Sequence, residues 1–289
     1  MNPILVVGMN RSGTKWISNI LSNHPQVSSA QYQRGHGIQE TNLFGAFPRA
    51  FGDLAAPDNY VGLVEWWART DFFRILDIER EYLYRLDPRP RTQFGLFRRL
   101  MEEAARRRGA RYWLQKTSPF WAAACREHYP DARWVVIERD LVATLRSTLR
   151  LQSAQLPSRA AQIRAVFSFV HQEKLLRRVK QQPGAAALTY EALRADPGGE
   201  TQRICAALGL DYDAAMLALP FQPNTSFRTT REREETLTPA MERELRHWRR
   251  GLRLLPLSAC RWARRRWGRE DPGLVPGTHG LIKDEHGLG

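Results

Sequence analysis

The first twenty-two residues limit the fold most tightly. Ile4-Leu5-Val6-Val7 is an unbroken apolar run ending at Gly8, the pattern of a short strand buried on both faces of a parallel sheet. Gly8-Met9-Asn10-Arg11-Ser12-Gly13 follows as a turn. From Thr14 to Ser22 the apolar residues Trp16, Ile17, Ile20 and Leu21 then recur at helical spacing. Asn23-His24-Pro25 closes that helix, because the residue before a proline is biased out of the helical conformation. A strand, a glycine-bearing loop and a helix, in that order, commit the chain to an α/β fold.

The alternation continues downstream. Tyr112-Trp113-Leu114 reads as a second strand, followed by a Lys116-Thr117-Ser118-Pro119 turn and a helix from 120 to about 128. Residues 134–137 form a third strand with a helix after it over 141–151. A long amphipathic helix covers 159–181, with Ile163, Val166, Phe167 and Val170 on one face. Residues 186–190 are a fourth strand, Asp196-Pro197 opens another helix, and Gly209 ends it. Residues 26–60 read as irregular loops of active-site type. The stretch 62–108 reads as mostly helical, broken at Asp87-Pro88-Arg89-Pro90 and stopped by Gly109. The predicted architecture is a three-layer α/β/α sandwich around a central parallel sheet.

Composition narrows the class. With 43% hydrophobic and 26% charged residues, the chain is neither collagen-like nor disordered. Its apolar runs fall far short of the ~20 residues of a membrane helix, and the N-terminus reads as a buried strand rather than a signal peptide. The net charge is +14, and ten Arg against three acidic residues between Met241 and Glu270 supply half of it. Such a surplus attracts phosphate, sulfate, nucleic acid or an anionic membrane. No recognition-helix or zinc-finger motif accompanies the charge, so specific nucleic-acid binding is not expected. The three cysteines lack disulfide-framework or metal-site spacing, so a reducing cytoplasm and no metal are expected.

The loop carries the chemistry. Backbone N–H groups between a buried strand and a helix point at an anion, and the helix dipole adds to the attraction. Arg11 supplies a forked cation, and Ser12 and Thr14 supply hydroxyls. The bland alternative is a tight turn that merely caps the helix. Gly8 and Gly13 have the spacing of a nucleotide-triphosphate loop, but Thr14 occupies the lysine place and Lys15 comes one residue late. One residue is roughly 100° around a helix. Trp16 follows where a magnesium-holding hydroxyl would stand, so a kinase of a small metabolite using Mg·ATP is the less favoured reading. A second anion site is offered by Arg139 at the end of the third strand and Ser147 on the next helix.

Together these residues resemble the sulfotransferases that use 3′-phosphoadenosine-5′-phosphosulfate (PAPS) and release 3′,5′-adenosine bisphosphate (PAP). Arg11-Ser12-Gly13-Thr14-Lys15-Trp16 is similar to the family's 5′-phosphosulfate loop, and His24-Pro25 to the end of its first helix. Arg139 and Ser147 match its 3′-phosphate pair, and Tyr190-Glu191-Ala192-Leu193 resembles a segment whose tyrosine lies near the nucleotide. Asn224-Thr225-Ser226-Phe227 distantly resembles another nucleotide-contacting stretch. Lys15 in place of the usual second threonine, and Leu141 in place of a proline after Asp140, depart from the pattern. The late glycine-rich, basic PAPS loop of cytosolic members is not evident, and the bacterial and carbohydrate-modifying branches look closer.

The resemblance implies a P-loop-like sulfotransferase fold over residues 1–250, with a helical acceptor-side insertion around 48–110 and a basic, partly flexible extension over 251–289. It implies no metal, because Arg and Lys supply the charge that sulfuryl transfer needs. Glu40, in Gln39-Glu40-Thr41-Asn42-Leu43-Phe44, resembles the general base of carbohydrate sulfotransferases, and His36 is the rival base. Lys116 resembles a cleft lysine, and Arg11 or Lys15 meets the leaving-group charge. The acceptor is a hydroxyl or amine on a small molecule, lipid or carbohydrate. The Trp- and Arg-rich run 248–267 reads as the solvated flank of a last helix, or as a peripheral membrane contact.

Overall fold

The computed structural model describes residues 1–31, 41–44, 50–152, 156, 158–218 and 237–266. Five strands, β1 (Asn2–Gly8), β2 (Val27–Ser29), β3 (Tyr112–Thr117), β4 (Arg133–Glu138) and β5 (Ala185–Thr189), form one sheet in the order β2-β3-β1-β4-β5. Every pairing is parallel. The helices are α1 (Thr14–Ser22), α2 (Pro57–Trp67), α3 (Asp71–Leu76), α4 (Arg80–Arg85), α5 (Gln93–Arg107) and α6 (Ala122–His128). They continue with α7 (Leu141–Gln152), α8 (Arg159–Lys180), α9 (Tyr190–Ala195), α10 (Pro197–Leu208), α11 (Pro239–Leu252) and α12 (Leu257–Arg266).

Helices cover both faces of the sheet because its strands are apolar on both. Ile4, Val6, Val135 and Ile137 pack against Ile17, Ile20 and Leu21 of α1 and Ile204 and Leu208 of α10. Leu5, Val7, Trp113, Trp134 and Val136 face the other way, toward α5 and α8. Each fully buried aliphatic side chain of this kind contributes roughly 1.5–3 kcal/mol. The expected three-layer α/β/α architecture is the one observed.

Local signals end the elements where the sequence places them. Ser158 caps α8 by accepting from the Ala161 N–H at 3.2 Å. Asp196 caps α10 through the Gly199 N–H at 2.8 Å, with Pro197 in its first turn. Gly109 and Gly209 turn left-handed, at φ 64° and 61°, to end α5 and α10. Two expectations need correction. The stretch read as loops contains β2, which is a strand because β3 supplies its pairing partners rather than because Val27-Ser28-Ser29 shows a strand pattern. The run 248–267 is not merely a solvated flank. Its described part, 248–266, divides between the end of α11 and α12, and Cys260 and Ala263 of α12 pack on Phe167 of α8.

Strand order also locates the functional edge. From β1 the chain moves toward β2, whereas from β4 it moves toward β5, on the opposite side. Adjacent strands whose connections diverge leave a crevice at their carboxyl ends, where α/β proteins bind ligands. That crevice lies between the loop after Gly8 and the turn at Arg139. Among the described residues no helix is long and apolar enough to cross a membrane, and no cluster of His, Cys, Asp and Glu is arranged to hold a metal ion.

Candidate anion-binding site at the strand edge

The loop between β1 and α1 is shaped by its own hydrogen bonds. The Ser12 N–H and Oγ–H both donate to the Met9 carbonyl, at 3.1 and 2.7 Å. Ser12 is fully buried, and its hydroxyl braces the loop. A buried hydroxyl takes the nearest acceptor, and the left-handed turn at Arg11 (φ 69°) brings the Met9 carbonyl within reach. Gly13 caps α1 at φ 98° with no side-chain cap. The N-terminal N–H groups of a helix lack intrahelical acceptors, and together with the dipole they favour an anion. Thr14, Lys15 and Trp16 follow in the first turn, each partly exposed.

Three elements converge on this loop. Arg11 Nε donates to Ser147 Oγ of α7 at 2.9 Å. Arg139, just past β4, donates from Nη1 to the Arg11 carbonyl at 3.0 Å. Its guanidinium carbon lies 4.1 Å from the centre of the Tyr190 ring, at the start of α9, a cation–π contact. Tyr190 in turn meets Trp16 edge-on, with ring centres 5.7 Å apart. A Cβ at Gly13 would sit 2.6 Å from Tyr190 Cδ2, so glycine is what lets the ring lie on the loop. Arg11 and Arg139 therefore stand at one edge of the sheet.

Two positive charges stand close together there. The Arg11 pKa is lowered, first by burial and then by repulsion from Arg139, with Tyr190 acting in the other direction. Arg139 Nε is buried without a hydrogen-bond partner. Ser147 accepts from Arg11, and a hydroxyl in that role keeps its own O–H to donate. Two guanidinium groups, a hydroxyl, a helix N-terminus and two aromatic rings fit a phosphorylated nucleotide. A cavity of about 370 Å³ adjoins the site, lined by Met9, Arg139, Asp140 and Thr189 together with side chains of α8 and α11.

Lys116 lies in β3, paired in register with Val6, and alternation turns it to the face that carries α1. Glu40 and His36, the two candidate bases, lie outside the described residues, as does the stretch 224–227. The sequence reading missed the ties that hold the site from behind. Asp140 Oδ1 accepts from the Val142 and Ala143 N–H groups at 2.9 and 3.1 Å, and Arg246 of α11 donates to Asp140 Oδ2 at 2.9 Å. Burial works against ionisation of Asp140, but the Arg246 hydrogen bond and the two backbone N–H groups prevail and hold its pKa below the usual value. A stripe of arginines at 246, 249 and 253 is the signal that was available for these ties.

The fold and the strand-edge site define a parallel α/β protein with an arginine-bearing loop between its first strand and helix. The sulfotransferase family model matches residues 3–214, and the chain belongs to that family. Among solved structures it is similar to the sulfotransferase domain of the Synechococcus PCC 7002 olefin synthase, at 17% identity and a TM-score of 0.52. That match covers 94% of this chain and 96% of the other. It is also similar to the sulfotransferase domain of the curacin biosynthetic pathway, at 14% identity and a TM-score of 0.52, over 94% and 99%. At these identities the likeness establishes the fold, a P-loop-like sulfotransferase fold. Comparison with curated proteins yields no match.

Proposed function

We propose that the protein transfers a sulfuryl group from PAPS to a hydroxyl or amine of an acceptor and releases PAP. The observation that carries this reading is the meeting of Arg11 and Arg139 at one strand edge, with Ser147 between helix and loop. Two guanidinium groups from neighbouring strand ends, joined through one loop, suit a ligand with two separate charged ends. The Gly13–Lys15 N–H groups and Arg11 receive the 5′-phosphosulfate. Arg139 and Ser147 receive the 3′-phosphate, and Trp16 and Tyr190 flank the adenosine.

In this reading the acceptor O–H loses its proton to Glu40, with His36 as the rival base. A bond forms from the acceptor oxygen to sulfur as the sulfur–oxygen bond to the 5′-phosphate breaks. Arg11, Lys15 and Lys116 stabilise the charge that builds on the leaving phosphate, so the residues supply what a metal supplies in kinases. The acceptor is a small molecule, lipid or carbohydrate. The reading of the chain as a Mg·ATP kinase is weaker, because Lys15 is one residue out of phase and Trp16 follows it. Three unpaired, buried thiols accord with a reducing cytoplasm as the place of action.

PAP is expected to raise the melting temperature more than ATP with magnesium does, since only PAP offers an anion to both arginines. Labelled PAPS, screened over acceptor classes, is expected to pass label to one of them. An absent PAP shift refutes the nucleotide assignment.

A further inference from the structure

Helix α11 lies beyond the residues matched by the family model, yet it is fastened to the chain neighbours of both residues assigned to the 3′-phosphate. Arg246 pairs with Asp140, which follows Arg139, through contacts of 2.9 and 3.5 Å. Glu242 pairs with Arg146, which precedes Ser147. Farther along, Arg249 and Arg253 both hold Glu173 of α8. Asp140 also reaches two more elements. Its carboxylate holds the N-terminus of α7, and its N–H donates to Glu191 Oε1 at 3.2 Å, beside Tyr190. One residue, through its carboxylate and its N–H, thus links the end of β4, α7, α9 and α11.

These pairs do little for folding. The Arg246 and Asp140 side chains are 49% and 34% exposed, and pairs so placed contribute only about 0.2–1 kcal/mol. Their effect on a bound phosphate is of another kind. An uncompensated carboxylate next to Arg139 would repel a phosphate there, and Arg246 cancels that charge. The two pairs also hold the turn and α7 on either side of Arg139 and Ser147, so those groups keep their spacing without paying orientation entropy on binding.

Resting on the PAPS reading above, we propose that α11 is a positioning strap: Arg246 and Glu242 act through Asp140 and Arg146 to set the preference for nucleotides that carry a 3′-phosphate. The test compares the Kd of PAP with that of AMP, which lacks the 3′-phosphate, by titration calorimetry. The variants are Arg246→Ala, Arg246→Lys, Glu242→Gln and Arg139→Ala, each checked for an unchanged melting temperature.

Arg246→Ala and Glu242→Gln are each expected to weaken PAP about three- to tenfold, toward the lower end of the coupling within a shared charge network. AMP affinity is expected to stay unchanged, and Arg246→Lys is expected to recover part of the loss. Arg139→Ala is expected to erase the preference for PAP over AMP. If Arg139→Ala erases it while Arg246→Ala and Glu242→Gln weaken both nucleotides alike or neither, the strap is overturned and the 3′-phosphate assignment stands. If Arg139→Ala leaves the preference intact, the assignment itself fails, and the strap with it.

Discussion

Substituting Gly13 by alanine perturbs the loop and the nucleotide face together, at a cost that follows from the local geometry. At φ 98° an L-residue occupies the left-handed region, which costs about 1–2 kcal/mol. The new methyl would stand 2.6 Å from Tyr190 Cδ2 and 3.2 Å from Ile137 Cδ1, and overpacking of that kind adds about 1–3 kcal/mol. The expected loss is therefore roughly 2–5 kcal/mol. Gly109 provides the control. It too is left-handed, at φ 64°, but a Cβ there meets nothing within 4 Å, so Gly109→Ala carries only the backbone part. Urea unfolding at constant slope measures both variants. The ring has to leave Gly13 to relieve the overlap, and Arg139 lies over that ring, so PAP affinity is expected to fall in Gly13→Ala and hold in Gly109→Ala. Equal stability losses in the two variants would refute the packing of Tyr190 on the loop.

Two further outcomes follow from single side chains. His171 is buried on α8 between the Phe120 and Phe167 rings. Burial first, then the positive Arg264 and Arg261, push its pKa from 6.5 down to about 4. The unfolded chain therefore takes up this proton first, so the stabilising effect of the neutral ring is complete above pH 6.5 and is lost as the pH falls toward 4. His171→Gln is expected to flatten that part of the urea-midpoint profile, and an unchanged acid limb would show that the ring does not titrate this way. Glu40→Gln is expected to abolish transfer from labelled PAPS while leaving PAP affinity near normal. Full turnover in that variant would move the base role to His36.

The fold was legible because its signals are local. An apolar run, a glycine turn and a helical stripe announce β1, the loop and α1 within twenty-two residues, and Gly109, Gly209, Ser158 and Asp196 act on the turn next to them. The positions of Arg11, in the loop after one apolar run, and Arg139, at the end of another, were also legible in sequence. β2 was not, since Val27-Ser28-Ser29 has no pattern of its own and becomes a strand only through its pairing with β3.

What the amino-acid order determines, then, is which residues stand at the strand tips. Which strand tips are neighbours, and which way a side chain turns there, was decided in three dimensions. The order β3-β1-β4 puts Arg139 against the Arg11 carbonyl across 128 residues of chain. Ser12, read in sequence as a hydroxyl for an anion, is turned to donate to the Met9 carbonyl. The arginines of α11 looked like solvated surface until their carboxylate partners on α8 and the Asp140 turn came within reach. Backbone preference and hydrophobic spacing act over a few residues and can be read in a line. Hydrogen bonds and ion pairs depend on distances in space, and those exist only once the sheet has brought its strands together.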